Sequence, residues 1–369
     1  MKYRRMAIEE ESPEERGYST VDCNLSESSV ADASLADLGI SLDNLTLPYC
    51  EHRGDLRLRE RIAAEHEGIG PEDVLITAGA ASALFIVHTA LLEKGDHLVV
   101  EHPNYGTNIE TPRAIECEVA LLHLRFESGF QPDMSEVRRL TRSNTRLISV
   151  TNPHNPTGVL KAGPTIEALL AEAARCRARL LVDETYRDVS AGTKPVLAAA
   201  MDARAISVSS VSKAYGLPGI RIGWVICKDK ALLNLFLAAK EQIFICNSIV
   251  DETIALRFLE KSAALLPAIR ARTERNLEHL RQFMARATML EWVEPQAAVV
   301  VFPRFRTDVE VDTDAFYRLL LDEYRTMVGP GHWFEMDDRY MRLGFGYPTE
   351  PAMRQGLINV EAAIRRSLK

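Results

Sequence analysis

Between about Asp55 and Lys240, short apolar runs that read as strands alternate with stretches of helical period. This alternation is the strongest constraint on the fold. Strands joined through helices run parallel, because each crossover returns the chain to the same edge of the sheet, and the helices then cover both faces. The strand-like runs include Leu75 with Ile76, His97 to Val100, Thr145 to Val150, Arg179 to Val182 and Ala205 to Val208. In open sheets of this kind, ligands bind outside the carboxyl ends of the strands. The residues that follow each run are therefore the candidates for chemistry. With 369 residues, 46% of them hydrophobic, the chain can fill a large core and is expected to form two unequal domains. Residues 48–250 are read as the large domain, and residues 1–47 with 251–369 as a smaller α/β domain. The smaller one should hold a long helix over 251–287, strands over 298–302 and 340–343, and helices over 314–323 and 350–367.

The run after Ala205 to Val208 is the most informative. It reads Ser209-Ser210-Val211-Ser212-Lys213, then Gly216, Pro218 and Gly219 before Arg221. A lysine amine forms a Schiff base with an aldehyde, and the hydroxyls of Ser210 and Ser212 with the Arg221 guanidinium can hold a phosphate beside it. The glycines and proline make a turn that brings Arg221 back towards the serines. An aldehyde and a phosphate on one small molecule describe pyridoxal 5'-phosphate, PLP. On its own, a lysine among serines is more often a surface residue, so the other strand ends have to agree.

They do. Asn155 lies in Asn152-Pro153-His154-Asn155-Pro156-Thr157-Gly158, a loop stiffened by two prolines after Thr145 to Val150. Asp183 ends the next run, with Tyr186 three residues on. A carboxylate at Asp183 would pair with the protonated pyridine nitrogen and keep the ring an electron sink. Asn155 and Tyr186 would donate to the ring phenolate and lower the basicity of the Schiff base. Earlier, Gly79 permits close backbone approach, and the N–H groups of Ala80 and Ala81 open a helix whose N-terminus suits an anion. Tyr105 follows a further strand end and can stack on the ring. Taken singly, Asp183 also reads as a helix N-cap and Tyr105 as a packing residue. Their joint, ordered occurrence favours the cofactor site.

At this point the chain resembles the class I/II aminotransferase family, of the fold type I PLP-transferase superfamily. The resemblance rests on Asn155-Pro156-Thr157-Gly158, Asp183-x-x-Tyr186, Ser210-x-Ser212-Lys213 with Arg221, and Arg342. It implies that Lys213, Asp183 and Tyr186 are catalytic, with Lys213 as Schiff-base lysine and proton shuttle. It also implies that Arg342 grips the substrate α-carboxylate, and that Tyr49 reaches the cofactor phosphate of a neighbouring subunit in a homodimer. Where many members have a Gly-Glu-Pro-like run, this chain reads Asn24-Leu25-Ser26-Glu27-Ser28-Ser29-Val30, which would line the substrate through Ser26 and Ser28. With Pro330 to Phe334 and Arg342 to Gly346, this run is similar to the branch that includes capreomycidine synthase, a cyclase acting on a hydroxylated arginine. The acidic run Glu9-Glu10-Glu11 with Glu14 and Glu15 can meet a substrate guanidinium, or form a solvated helix start.

Composition sets the outer limits. A net charge of −8 without a polybasic arm argues against a nucleic-acid surface. Six scattered cysteines suit a reducing cytosol, and no His-Glu-x-x-His motif points to a metal. No signal peptide or membrane-spanning run is visible. The expected activity is an aminotransferase that moves the amino group of an L-amino acid to a 2-oxo acid. The alternatives are a PLP-dependent cyclase or β/γ-eliminating lyase on a substituted amino acid, and a cofactor-binding regulatory module without turnover.

Overall fold

The computed structural model describes residues 1–189 and 194–369. Its centre is a sheet of seven strands: β1 (Val74–Thr77), β2 (His97–His102), β3 (Glu118–His123), β4 (Thr145–Thr151), β5 (Arg179–Asp183), β6 (Ala205–Ser210) and β7 (Gly223–Ile226). Their order across the sheet is β1-β7-β6-β5-β4-β2-β3. The five strands from β6 to β3 are mutually parallel, while β7 runs antiparallel to both β6 and β1. Since β1 is antiparallel to an antiparallel strand, its carboxyl end lies at the same edge as those of the parallel five.

Alternation along each strand explains why the sheet is covered on both sides. Leu98, Leu147, Leu181, Ile206 and Val208 pack under helix α1 (Gly79–Leu91), through its Ala83, Leu84 and Val87. The neighbouring residues Val99, Ile148, Val150, Leu180 and Val182 point the other way, against Ile166, Leu169 and Ala173 of α2 (Gly163–Cys176). Near-continuous apolar strands are the mark of a sheet buried on both faces. The antiparallel insertion of β7 modifies the expected parallel pattern without breaking it. Gly223 opens that strand because its Cα faces the turn into α1: a Cβ there would lie 2.7 Å from the Ala80 nitrogen.

Outside the sheet, α3 (Ile249–Arg286) and α4 (Glu350–Ser367) frame a three-stranded sheet of Val300–Val301, Met341–Gly344 and Gly329–Pro330. The strand expected over 298–302 is a regular strand only over Val300–Val301; at its start Ala298 takes a left-handed conformation (φ +64°) that no regular strand accepts. The expected helix over 314–323 is α-helical from Thr313 to Arg318 and widens to a π-turn over Leu319–Glu323. All six cysteines are free, and among the described residues no helix is long and apolar enough to cross a membrane. Among the described residues no group of three or more His, Cys, Asp or Glu side chains is placed to hold a metal.

Candidate active site

The carboxyl edge of the large sheet opens into a cavity of about 830 Å³. It is lined by Ala80, Ala81, Tyr105, Asn155, Asp183, Tyr186, Ser210, Ser212, Lys213, Arg221, Ser26, Ser28 and Arg342. These residues come from seven separate stretches of chain. Gly79 stands just behind this surface, with a positive φ of +82°; a Cβ at that position would collide with the Arg221 guanidinium. Tyr49 is the exception. It is 83% exposed and does not line the cavity of its own chain.

The residues on the anion side converge on one region. Arg221 Nη1 donates to the Pro218 carbonyl at 2.8 Å and to Ser212 Oγ at 3.3 Å. The hydroxyl of Ser210 accepts from the Ser212 amide at 3.3 Å. No side chain caps the N-terminus of α1, so its first N–H groups lack a side-chain acceptor. Hydroxyls, a guanidinium and a free helix N-terminus together suit a phosphate.

Asp183 is 5% exposed, at the end of β5. Its Oδ1 accepts from the Thr185 amide at 3.1 Å and from Thr185 Oγ1 at 2.5 Å. One oxygen thus stabilises the turn after the strand, a local role close to the capping use read in the sequence. Burial pushes the carboxyl above its usual range, against the hydrogen bonds from Thr185 and Asn108. A buried carboxylate with no cationic partner fits a site that receives a cation, such as a pyridinium.

Arg342, on the strand Met341–Gly344, is 3% exposed. Its Nη1 donates to Asn155 Oδ1 at 3.2 Å and its Nη2 to the Ser26 carbonyl at 2.7 Å. Its Nε is buried without an acceptor. The guanidinium lies 5.0 Å from the Phe334 ring centroid and 5.9 Å from that of Trp333. Aromatic faces and two hydrogen bonds hold the fork flat, and the unpaired N–H is suited to an incoming carboxylate. Asn155 spends its oxygen on Arg342, which leaves its amide nitrogen as the end able to donate to a ring oxygen.

Lys213 rises from the loop after β6 with its side chain 30% exposed to the cavity. The nearest carboxylate is Glu27, whose Oε1 is 3.7 Å from Nζ. Behind this floor lies a buried ion pair. Glu101 Oε1 stands 3.1 Å from Lys161 Nζ, both side chains fully enclosed. Lys161 also donates to the Thr151 carbonyl at 2.8 Å, and the Thr151 amide donates to Glu101 Oε2 at 3.0 Å. The pair clamps the end of β4, and with it the loop that carries Asn155.

The remaining wall comes from the chain's first 35 residues. Glu9, Glu14, Glu27 and Asp32 line the cavity, together with Tyr18. Burial and the charge of Glu27 raise the Asp32 carboxyl, and burial raises the Tyr18 phenol. Glu11 points elsewhere: it accepts from His332 Nε2 and Trp333 Nε1, each at 2.8 Å. The acidic run is thus divided, part facing the cavity and part tethering the segment. Glu27 and Asp32 were not singled out in the sequence. Glu27 has one cue there, its place in the run that replaces the Gly-Glu-Pro-like one, and Asp32 has none.

A family model for class I and II aminotransferases matches residues 28–357. The chain belongs to this family. Among curated relatives of this aminotransferase-family chain, capreomycidine synthase of Streptomyces vinaceus is 32% identical over 319 residues, 86% of this chain and 80% of that protein. The arginine–pyruvate transaminase AruH of Pseudomonas aeruginosa is 28% identical, over 82% and 79% of the two chains. Among solved structures, a PLP-dependent aminotransferase from Streptococcus suis superposes with a TM-score of 0.92 at 28% identity, covering 100% of both chains. The fold is therefore fold type I, and the cofactor of the family is PLP. The buried Asp183, the open α1 N-terminus and the accessible Lys213 fit that cofactor.

Proposed function

We propose that this PLP-dependent enzyme works at the α-carbon of an L-amino acid with a cationic, guanidinium-class side chain, and transfers its amino group to a 2-oxo acid. The observation that carries this reading is one cavity holding both a buried carboxylate clamp, Arg342, and four carboxylates, Glu9, Glu14, Glu27 and Asp32. An amino acid with charge at both ends matches that distribution, and the similarity to an arginine transaminase supports it.

In this reading Lys213 carries the cofactor, Asp183 pairs with its ring nitrogen, and Asn155 and Tyr186 face its ring oxygen. Ala80, Ala81, Ser210, Ser212 and Arg221 hold the phosphate, and Tyr105 covers the ring. Bound PLP supplies the electron sink for the charge that develops at the α-carbon. Arg342 sets the substrate carboxylate, which fixes the orientation of the α-hydrogen. The Lys213 amine, freed on substrate binding, takes that proton. Asp183 keeps the compensating proton at the ring nitrogen. Ser26 turns its carbonyl to Arg342 and Ser28 lines the cavity, so this segment orients the clamp. The exposed Tyr49 is assigned to the cofactor phosphate of a second subunit, in a homodimer.

A second reading, cyclisation or elimination on a hydroxylated guanidino amino acid, is favoured by the similarity to capreomycidine synthase and by a carboxylate, Glu27, beside Lys213. Rapid mixing of the PLP-loaded protein with arginine, β-hydroxyarginine, γ-hydroxyarginine, aspartate and neutral amino acids separates the readings. Conversion of arginine to its 2-oxo acid supports transamination. Loss of water from a hydroxyarginine, without oxo acid, supports the second reading. Equal reaction of aspartate and arginine overturns the cationic-substrate assignment.

A further inference from the structure

Glu27 is placed with more care than a side chain at a cavity edge needs. Asn24 Oδ1 accepts from the amides of Ser26 and Glu27, at 3.1 and 3.2 Å, and from Ser26 Oγ at 2.8 Å, which folds the segment into a tight turn. The Glu27 carbonyl packs so closely on Gly344 that a Cβ there would overlap it. Three residues on, the Val30 amide donates to the Lys213 carbonyl at 3.0 Å, so this segment and the lysine loop are joined through the backbone. The Ser28 amide donates to Glu27 Oε1 at 3.2 Å, and that same oxygen is the one 3.7 Å from Lys213 Nζ. The Glu27 side chain is 11% exposed.

We infer that Glu27 is a positioning residue that acts through Lys213: its carboxylate holds the lysine nitrogen protonated, both as the free ammonium and when that nitrogen is linked to the cofactor. The inference rests on the assignment of Lys213 as the cofactor lysine. An opposite charge within about 4–6 Å favours the charged form of a partner by one to three pH units. Tyr105 and Tyr186 also face Lys213, and Arg342 opposes them. Asp32, Glu14, Tyr18 and Tyr347 stand around Glu27 itself. Burial works against the ammonium of Lys213, yet Glu27, the largest favourable influence, helps carry it above its ordinary value. The effect opposes that of Asn155 and Tyr186, whose hydrogen bonds to a ring oxygen would make the linkage less basic. A protonated linkage is the electrophilic one, so exchange with an incoming amine would persist to higher pH.

The test is the visible absorbance of the PLP-loaded protein, titrated from acid to alkaline pH, for the unmodified chain, Glu27→Gln and Glu27→Asp. Removing the negative charge disfavours protonation, so Glu27→Gln should lower the midpoint by about one pH unit or more, a tenfold change in the equilibrium. Glu27→Asp keeps the charge and should retain most of the original midpoint. A Glu27→Gln protein that binds cofactor fully with an unmoved midpoint overturns the inference. A purely structural role would change cofactor loading and melting but not the midpoint. The unmodified protein gives a check that needs no variant: its linkage should be protonated at neutral pH, and an unprotonated one overturns the inference. Persistence of the band in Lys213→Ala would instead sink the assignment of the lysine, a separate failure.

Discussion

The floor and the wall of the cavity are built by different means. The floor residues Asp183, Ser210 and Ser212 are between 1 and 6% exposed and stand at, or just beyond, the ends of strands hydrogen-bonded on both sides. The wall that carries Glu9 and Glu14 consists of two helices, Ala7–Glu11 and Pro13–Arg16, of five and four residues, neither with a side-chain N-cap. Helices this short do not persist alone. Theirs is held by polar links, Arg4 to Glu110 at 2.6 Å and Glu11 to His332 and Trp333, and by the packing of Ala7 and Ile8 against the core. The floor's geometry thus belongs to the whole sheet, and the wall's to a handful of side chains. On the proposed assignment, chemistry and substrate choice are thereby mechanically separable, and substitutions should affect one region while sparing the other.

The largest effect is expected at the floor. Lys213→Ala should abolish turnover and the visible absorbance of bound cofactor together, because no other amine is placed to form the linkage; retention of either, read by spectrophotometry and assay, would break the assignment. Next comes the clamp beneath Asn155. Lys161→Met leaves Glu101 buried without its cation and should cost about 3–5 kcal/mol of stability in denaturant titration. Glu101→Gln combined with Lys161→Met should cost less, since both charges go. Equal losses for the single and double variants would mean that the pair does not act as a unit.

Arg342 lies where floor and wall meet. On the proposed assignment, Arg342→Ala removes a charge-assisted contact to the substrate carboxylate worth about 2–4 kcal/mol and should raise KM by roughly thirtyfold or more while cofactor stays bound. An unchanged KM for every amino acid tried would place the carboxylate elsewhere. Arg342 also shows how much of the site the sequence reveals. The floor residues are legible because each sits in a short motif, Asp183-x-x-Tyr186 or Ser210-x-Ser212-Lys213, whose spacing follows from one strand end and its turn, whereas Arg342 is marked by no such motif and is legible only through the family resemblance. The antiparallel strand Gly223–Ile226 is less so, because it is brief and opens on a glycine. The contact of Glu27 with Lys213 joins positions 186 residues apart through the packing of Gly344, and no local pattern marks it. The fold class is legible for the same reason as the floor: alternation along the strands is local. The wall depends on contacts such as Glu11 with His332, which bring together residues distant in the chain, and is read only in three dimensions.

That contact gives the smallest prediction and the one most specific to the wall. His332 donates from Nδ1 to Asp338 at 2.9 Å and from Nε2 to Glu11 at 2.8 Å, an arrangement that requires both ring nitrogens to be protonated. The bond to Asp338, then the one to Glu11, outweigh partial burial and raise the imidazole from 6.5 to about 9. A group with a raised folded value stabilises fully below its unfolded value and loses that contribution as pH rises through the folded one. Docking of the first 20 residues should therefore be tightest below about pH 6.5 and loosen through about pH 9, while the floor is unaffected. Because His332 is 42% exposed, solvent screening keeps the effect near that of a surface pair, below about 1 kcal/mol. Hydrogen exchange of residues 1–20, corrected for its intrinsic pH dependence, should show the rise in the unmodified chain and a flat profile in His332→Gln. If β4 and β5 lose protection over the same pH range, the two regions are coupled, and substrate wall and catalytic floor move as one body.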